Sequence, residues 1–230
     1  MSDPAGSTEA LQIDIVSDVM CPWCYIGKKR LDKAVAQSGV AVAEHWRPFQ
    51  LDPTLPPEGK DRRQYLEEKF GGSDRATAIY DQVREAGDAE GIAFDFKAIK
   101  VSPNTLNAHR VIRWAANGGP GVQTALAQRL FRLYFEEGAN VGDVEVLADA
   151  AAECGMDREI VADLLASDAD IEKVQAEIAV AQRMGVSGVP CFIVESRFAI
   201  VGAQDPAIMA RALQEIAAKK AAGTLDEPTQ

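Results

Sequence analysis

Two cysteines separated by two residues, Cys21-Pro22-Trp23-Cys24, stand where an extended run gives way to helical periodicity. That spacing puts both sulfurs on the first turn of a helix, near enough to close a small disulfide ring. Unpaired N–H groups and the positive end of the helix dipole favour a thiolate at the first sulfur. The second can then displace any mixed disulfide that the first forms. Cys21 is the expected attacking thiol and Cys24 the expected resolving thiol. The same spacing occurs as half of a zinc knuckle, but such a site needs a second cysteine pair or suitably spaced histidines. Cys154 and Cys191 each stand alone, and the histidines are His45 and His109. No metal is expected.

A second segment, Gly185-Val186-Ser187-Gly188-Val189-Pro190-Cys191-Phe192, immediately precedes a strand pattern. An X-Pro bond is where a cis peptide is tolerated. If this turn packs against Cys21, the backbone N–H and C=O of Val189 stand open to an extended peptide or to the backbone of glutathione. The plain alternative is an ordinary Gly-Pro loop. Val189 and Pro190, with Pro22 and Trp23 beside the sulfurs, are the expected substrate-binding positions. Asn104, Asn107 and His109, at or near the start of one helix, are weaker candidates to line the cleft; a cap and a packed imidazole are the alternative.

The elements that must hold these residues are legible in outline. Leu11–Ser17 alternates apolar and polar residues and reads as a strand. Helical spacing from Tyr25 to Gln37 ends at Gly39, and Val40–Phe49 reads as a second strand, so the chain opens as a βαβ unit with parallel strands. After a linker containing Pro53, Pro56 and Pro57, helices are expected near 62–70, 75–90, 105–117, 122–137, 144–153, 158–166 and 171–184. Asp143, Asp157 and Asp170 occupy N-cap positions; Gly138, Gly155 and Gly185 follow helix ends. Strand patterns return at Cys191–Val194 and Phe198–Val201, joined by a short hairpin, and Asp205 caps a last helix reaching about Lys219. The expected organisation is a discontinuous α/β domain (10–52 and 171–220) interrupted by an all-helical insertion (53–170), with flexible termini at 1–9 and 221–230.

Composition sets the outer bounds. The 230 residues are 47% hydrophobic and 26% charged, ordinary for a globular chain able to bury a core. A net charge of −11 repels phosphate backbones and argues against nucleic-acid binding. No stretch reaches the roughly 18 apolar residues of a membrane span. The first residues lack the basic and apolar regions of a secretory signal. A cytoplasmic address follows as an expectation, and with it reduced cysteines.

Together the two segments resemble the thioredoxin superfamily, and within it the DsbA family. Longer phrases are similar to its FrnE-like branch: Asp18-Val19-Met20-Cys21-Pro22-Trp23-Cys24-Tyr25-Ile26-Gly27-Lys28, Trp46-Arg47-Pro48-Phe49-Gln50-Leu51, Pro103-Asn104-Thr105 with Ala108-His109-Arg110, and Gly202-Ala203-Gln204. The likeness runs from about Ile13 to about Leu213. It implies a thioredoxin-like fold with a helical insertion, a cis-proline loop at Pro190 and thiol–disulfide oxidoreductase activity on protein or small-molecule disulfides. No tightly bound cofactor is implied; glutathione is a possible co-substrate, and the chain is expected to be a monomer or homodimer. The resemblance also extends to glutathione-dependent 2-hydroxychromene-2-carboxylate isomerases. Those usually carry Ser at the position of Cys21, so the dithiol favours redox chemistry. Thioredoxin relatives often place a buried acid six residues before the first cysteine; here that position is Ile15, leaving Asp14 or Asp18 as substitutes. Cys191 replaces the aromatic residue common after the FrnE-like cis-proline, either as a core thiol or as a third redox group. Cys154 reads as structural, and His45 as a packed residue.

Overall fold

The computed structural model describes residues 9–226. The chain runs through β1 (Leu11–Ser17), α1 (Pro22–Ser38) and β2 (Val42–Pro48), then β3 (Lys60–Asp61), α2 (Arg62–Phe70), α3 (Ser73–Ala89) and β4 (Val101–Ser102). It continues through α4 (Leu106–Ala115), α5 (Val122–Phe135), α6 (Val144–Glu153), α7 (Arg158–Leu165) and α8 (Ile171–Arg183), and closes with β5 (Cys191–Val194), β6 (Phe198–Val201) and α9 (Pro206–Ala221).

The two ends of the chain build one mixed sheet of order β2-β1-β5-β6. β1 is central because its apolar residues Leu11, Ile13 and Ile15 are all buried. It pairs parallel with β2, Ile15 opposite Trp46, and antiparallel with β5, Ile15 opposite Phe192. This is the split α/β arrangement expected from the sequence, with the helices inserted between β2 and β5. α1 packs against α9, while α4, α5 and α8 pack on β2.

Two side chains tie the inserted helices together and to the sheet domain. Tyr25, on α1 just after the dithiol, stacks on Phe131 of α5 with ring centroids 5.2 Å apart. Such ring pairs contribute beyond their area burial. The buried guanidinium of Arg110 on α4 donates to the carbonyls of Leu164, Ser167 and Ala169 at 2.6–2.8 Å. It thereby ties α4 to the last turn of α7 and to the loop that follows it.

Several expectations need correction. The insertion is not wholly helical: β3 and β4 form a two-stranded antiparallel ribbon, too short to leave an alternation pattern. α1 begins at Pro22, which takes a first-turn position where no N–H is needed, in keeping with the expected placement of the dithiol. β2 begins at Val42. Asp143 and Asp157 cap their helices through their side chains. Asp170 does not: its backbone is left-handed (φ 61°), and its carboxylate accepts from Trp114 Nε1 and pairs with Lys173 instead. The expected flexible tail is in part packed. Arg197 donates to the Leu225 carbonyl and pairs with Asp226. Residues 1–8 and 227–230 lie outside the described residues.

Candidate active site

Cys21 is the N-cap of α1, with extended backbone (φ −93°, ψ 111°) and Pro22 following. Its amide donates to the Asp18 carbonyl (3.0 Å), and the Cys24 amide donates back to the Cys21 carbonyl (3.0 Å). The first turn of α1 therefore holds both sulfurs, as the spacing predicts. Both are free thiols. Cys21 is 4% exposed and Cys24 2%, whereas Trp23 between them is 37% exposed.

The Gly185–Phe192 segment arrives against this turn. The Cys21 sulfur points at the Val189 carbonyl oxygen, 3.7 Å away, and the Val189–Pro190 peptide is cis. Gly202 fixes the loop from its far side, its amide donating to the Pro190 carbonyl at 2.8 Å. The structure thus brings Cys21, Cys24, Pro22, Trp23, Val189 and Pro190 together.

Burial pushes the Cys24 thiol well above its usual range, and the neighbouring Cys21 sulfur pushes the same way. The Ser17 hydroxyl and the backbone at Asp18 act in the opposite direction by favouring the thiolate. Ser17 is buried, and its hydroxyl has no hydrogen-bond partner of ordinary geometry among the described residues. It lines a cavity of about 10 Å³ with Trp46, His109, Arg113 and Glu177, close to the space of a single water.

Of the two acids near the strand, only Asp18 reaches the dithiol turn. It is wholly buried, accepts from the Leu51 amide at 2.8 Å and from the Met20 amide at 3.4 Å, and lies 3.5 Å from His109 Nε2. Asp14 is turned to the sheet surface and pairs with Arg47 at 2.7 Å.

Asn104 and His109 are engaged with the segment that follows β2. The Asn104 amide accepts from Gln50 (3.1 Å) and from the Leu106 amide (3.0 Å), and donates to the Leu55 carbonyl (2.6 Å). His109 is 3% exposed, and its Nε2 donates to the Phe49 carbonyl at 2.8 Å. Asn107 accepts from Arg110 at 2.8 Å. Cys191 is buried beside Val16, Phe49 and Ile193, and burial raises its pKa. Cys154 caps α6 half-buried, its pKa raised by burial and by Glu153. His45 is exposed, with Nε2 2.9 Å from Gln12 Oε1. Among the described residues no group of His, Cys, Asp and Glu is placed to hold a metal ion.

Ser17, Gly27 and Tyr80 escaped sequence reasoning. Gly27, in the middle of α1, sits against Pro190 and Phe192. A glycine inside a helical pattern costs about 1 kcal/mol relative to alanine, and that was the available signal. Tyr80, on α3, lies close enough to Cys21 for a charge there to disfavour its ionisation; nothing local in the sequence marks it.

A dithiol at a helix start, facing a proline turn at the shared end of adjacent strands of a four-stranded mixed sheet, defines a thioredoxin-type site. The DSBA-like thioredoxin domain matches residues 12–214, and the chain belongs to that family. A Streptomyces coelicolor protein described as a probable DsbA oxidoreductase is 31% identical, with a TM-score of 0.80 over 96% of this chain and 92% of that one. The cytosolic disulfide reductase DsbM of Pseudomonas aeruginosa, solved with glutathione, is 18% identical, with a TM-score of 0.61 over 92% and 100%. The Bacillus subtilis protein YwbO, uncharacterized, is 26% identical over 151 residues, 64% of this chain and 68% of that one. Fold and family agree with the resemblance drawn from the sequence.

Proposed function

We propose that this chain is a thiol–disulfide oxidoreductase that works through Cys21 and Cys24. The Cys21 thiolate attacks one sulfur of a substrate disulfide, forming a mixed disulfide and releasing the first substrate thiolate. Cys24 then gives up its proton and attacks the Cys21 sulfur. The Cys21–Cys24 disulfide forms, the second substrate thiolate leaves, and the substrate has been reduced by two electrons. Two glutathione molecules restore the dithiol and leave as glutathione disulfide. The reverse sequence oxidises a substrate dithiol.

The observation that carries this reading is the placement of Cys21 as N-cap of α1, its sulfur 3.7 Å from the Val189 carbonyl, with Cys24 buried behind it. Both sulfurs are nearly covered, so a substrate disulfide reaches Cys21 at the Val189 carbonyl edge beside the exposed Trp23, while Cys24 lies one helical turn further in. Trp23, Pro22, Val189 and Pro190 are the proposed substrate contacts, with protein or small-molecule disulfides as substrates. Asn104 and His109, expected as cleft residues, are assigned instead to holding segment 49–55. A thiol at Cys21 favours redox chemistry over glutathione-dependent isomerisation. The proposed compartment is the reducing cytoplasm; among the described residues no helix is long and apolar enough to cross a membrane.

Equilibration in glutathione buffers of graded potential, followed by mass spectrometry of the acid-quenched protein, tests the reading. It predicts one reversible two-electron transition with a Cys21–Cys24 disulfide. A chain in which these cysteines never pair would contradict it.

A further inference from the structure

A buried cation stands apart from the dithiol chemistry. Arg62, the first residue of α2, is 4% exposed. Its guanidinium donates to the Tyr134 hydroxyl at 2.7 Å and to the Tyr80 hydroxyl at 2.9 Å, and it lies over both rings, 5.5 and 5.2 Å from their centroids. Both phenols are neutral: burial is the leading cause that raises the pKa of each. No carboxylate pairs with Arg62 among the described residues. The candidates are committed elsewhere. Asp61 caps α2 through the Gln64 amide, Glu67 pairs with Arg63 and Asp81 with Arg84. Asp18 spends its oxygens on the Leu51 and Met20 amides. Buried charges are ordinarily paired, so a guanidinium held only by neutral partners keeps most of its demand for an anion.

Arg62 is also part of the wall of an apolar recess between α2 and α3. This cavity measures about 590 Å³ and is lined by Leu66, Tyr80, Phe96 and Ile99, with Lys100 among its cationic residues. Its size is that of a small-molecule site, and apolar walls with a few placed polar groups are the usual make-up of one. The lining also holds Asp61, Glu67 and Asp81, but Glu67 and Asp81 are paired with Arg63 and Arg84, so Arg62, Lys97 and Lys100 leave the recess a cationic excess in a chain that carries −11 as a whole.

We infer that this pocket binds a small organic monocarboxylate with an aromatic body, its carboxylate meeting Arg62 and its ring lying among Leu66, Phe96 and Ile99. The guanidinium offers a planar fork suited to a carboxylate, and Phe96 and Tyr80 offer ring faces and edges. This site stands independently of the redox reading, although Tyr80 is near both centres.

The test is titration of the full chain with benzoate and with 3-phenylpropionate, each against its neutral alcohol (benzyl alcohol, 3-phenylpropanol), followed by NMR of the tyrosine and phenylalanine rings. The wild type is expected to bind each acid at least tenfold more tightly than its alcohol, with the shifts centred on Tyr80 and Phe96. In Arg62→Gln, which retains hydrogen-bond donors but no charge, that preference is expected to vanish. Should Arg62→Gln fail to fold, Lys100→Gln on the exposed rim is expected to weaken the acids two- to fivefold and leave the alcohols unchanged. Equal response to acid and alcohol in the wild type, shifts elsewhere in the chain, or an undiminished preference in a folded Arg62→Gln would overturn the inference.

Discussion

A Cβ placed on Gly27 would lie 2.8 Å from Cγ of Pro190 and 3.2 Å from the ring tip of Phe192. The helix that carries the dithiol and the loop that faces it are thus in contact through a position with no side chain. Alanine at this position gains about 1 kcal/mol of helix propensity. It also forces a rigid proline ring and a buried aromatic apart, an overpacking cost of typically 1–3 kcal/mol. Gly27→Ala is expected to be net destabilising by about 1 kcal/mol in urea melts and to slow disulfide reduction severalfold by moving Val189 away from Cys21.

The buried state of Cys24 predicts a pH dependence. Its thiol pKa is raised in the folded chain, chiefly by burial, so the native state holds that proton where an unfolded thiol, at about 8.5, releases it. The stability contributed by this proton is fully present below the unfolded pKa and is lost as pH rises toward the folded one. Unfolding free energies measured between pH 7 and 10 should fall in the wild type, and Cys24→Ala should flatten the part of that slope due to Cys24. An identical slope in the two proteins would contradict the assignment.

Ser17 is expected to act on the same proton, because its buried hydroxyl has no hydrogen-bond partner in the resting dithiol and is free to donate once the Cys24 thiolate forms. Its hydroxyl favours the Cys24 thiolate, so Ser17→Ala should move the pH profile of mixed-disulfide resolution to higher pH, while Ser17→Thr should retain it. Stopped-flow resolution of a Cys21 adduct from pH 6 to 10 gives both profiles. An unshifted Ser17→Ala profile would remove Ser17 from the resolving step.

Sequence patterns made the frame legible and left its interior contacts hidden. The βαβ opening, the Cys191–Val194 and Phe198–Val201 hairpin and most helix limits follow from local periodicity, caps and glycines, which act over a few residues. The Cys21–Val189 approach spans 168 residues; it was legible only because both segments carry short recognisable patterns. Asn104 and His109 show the limit. Their residue types suit a cleft, but whether an amide is free depends on Gln50 and Leu55, which tertiary packing alone brings near. Ser17, Tyr80 and Arg62 carry no local signature and owe their roles to burial.

Asn104 provides a direct check on that reassignment. Its side chain makes three hydrogen bonds to or beside the segment after β2. Asn104→Ala leaves the Leu55 carbonyl and Leu106 amide without these partners, a cost of about 1–3 kcal/mol. The variant should lose that much in urea melts and keep its KM for a small disulfide substrate. A raised KM with unchanged stability would return Asn104 to the substrate site.

The most direct test of the dithiol mechanism compares Cys21→Ser and Cys24→Ser on a disulfide substrate, with glutathione as reductant and mass spectrometry on quenched samples. The account predicts that Cys21→Ser is inactive and forms no adduct, while Cys24→Ser accumulates a mixed disulfide on Cys21. Turnover by Cys21→Ser at the wild-type rate, or adducts formed on Cys24, Cys154 or Cys191 instead, would contradict it.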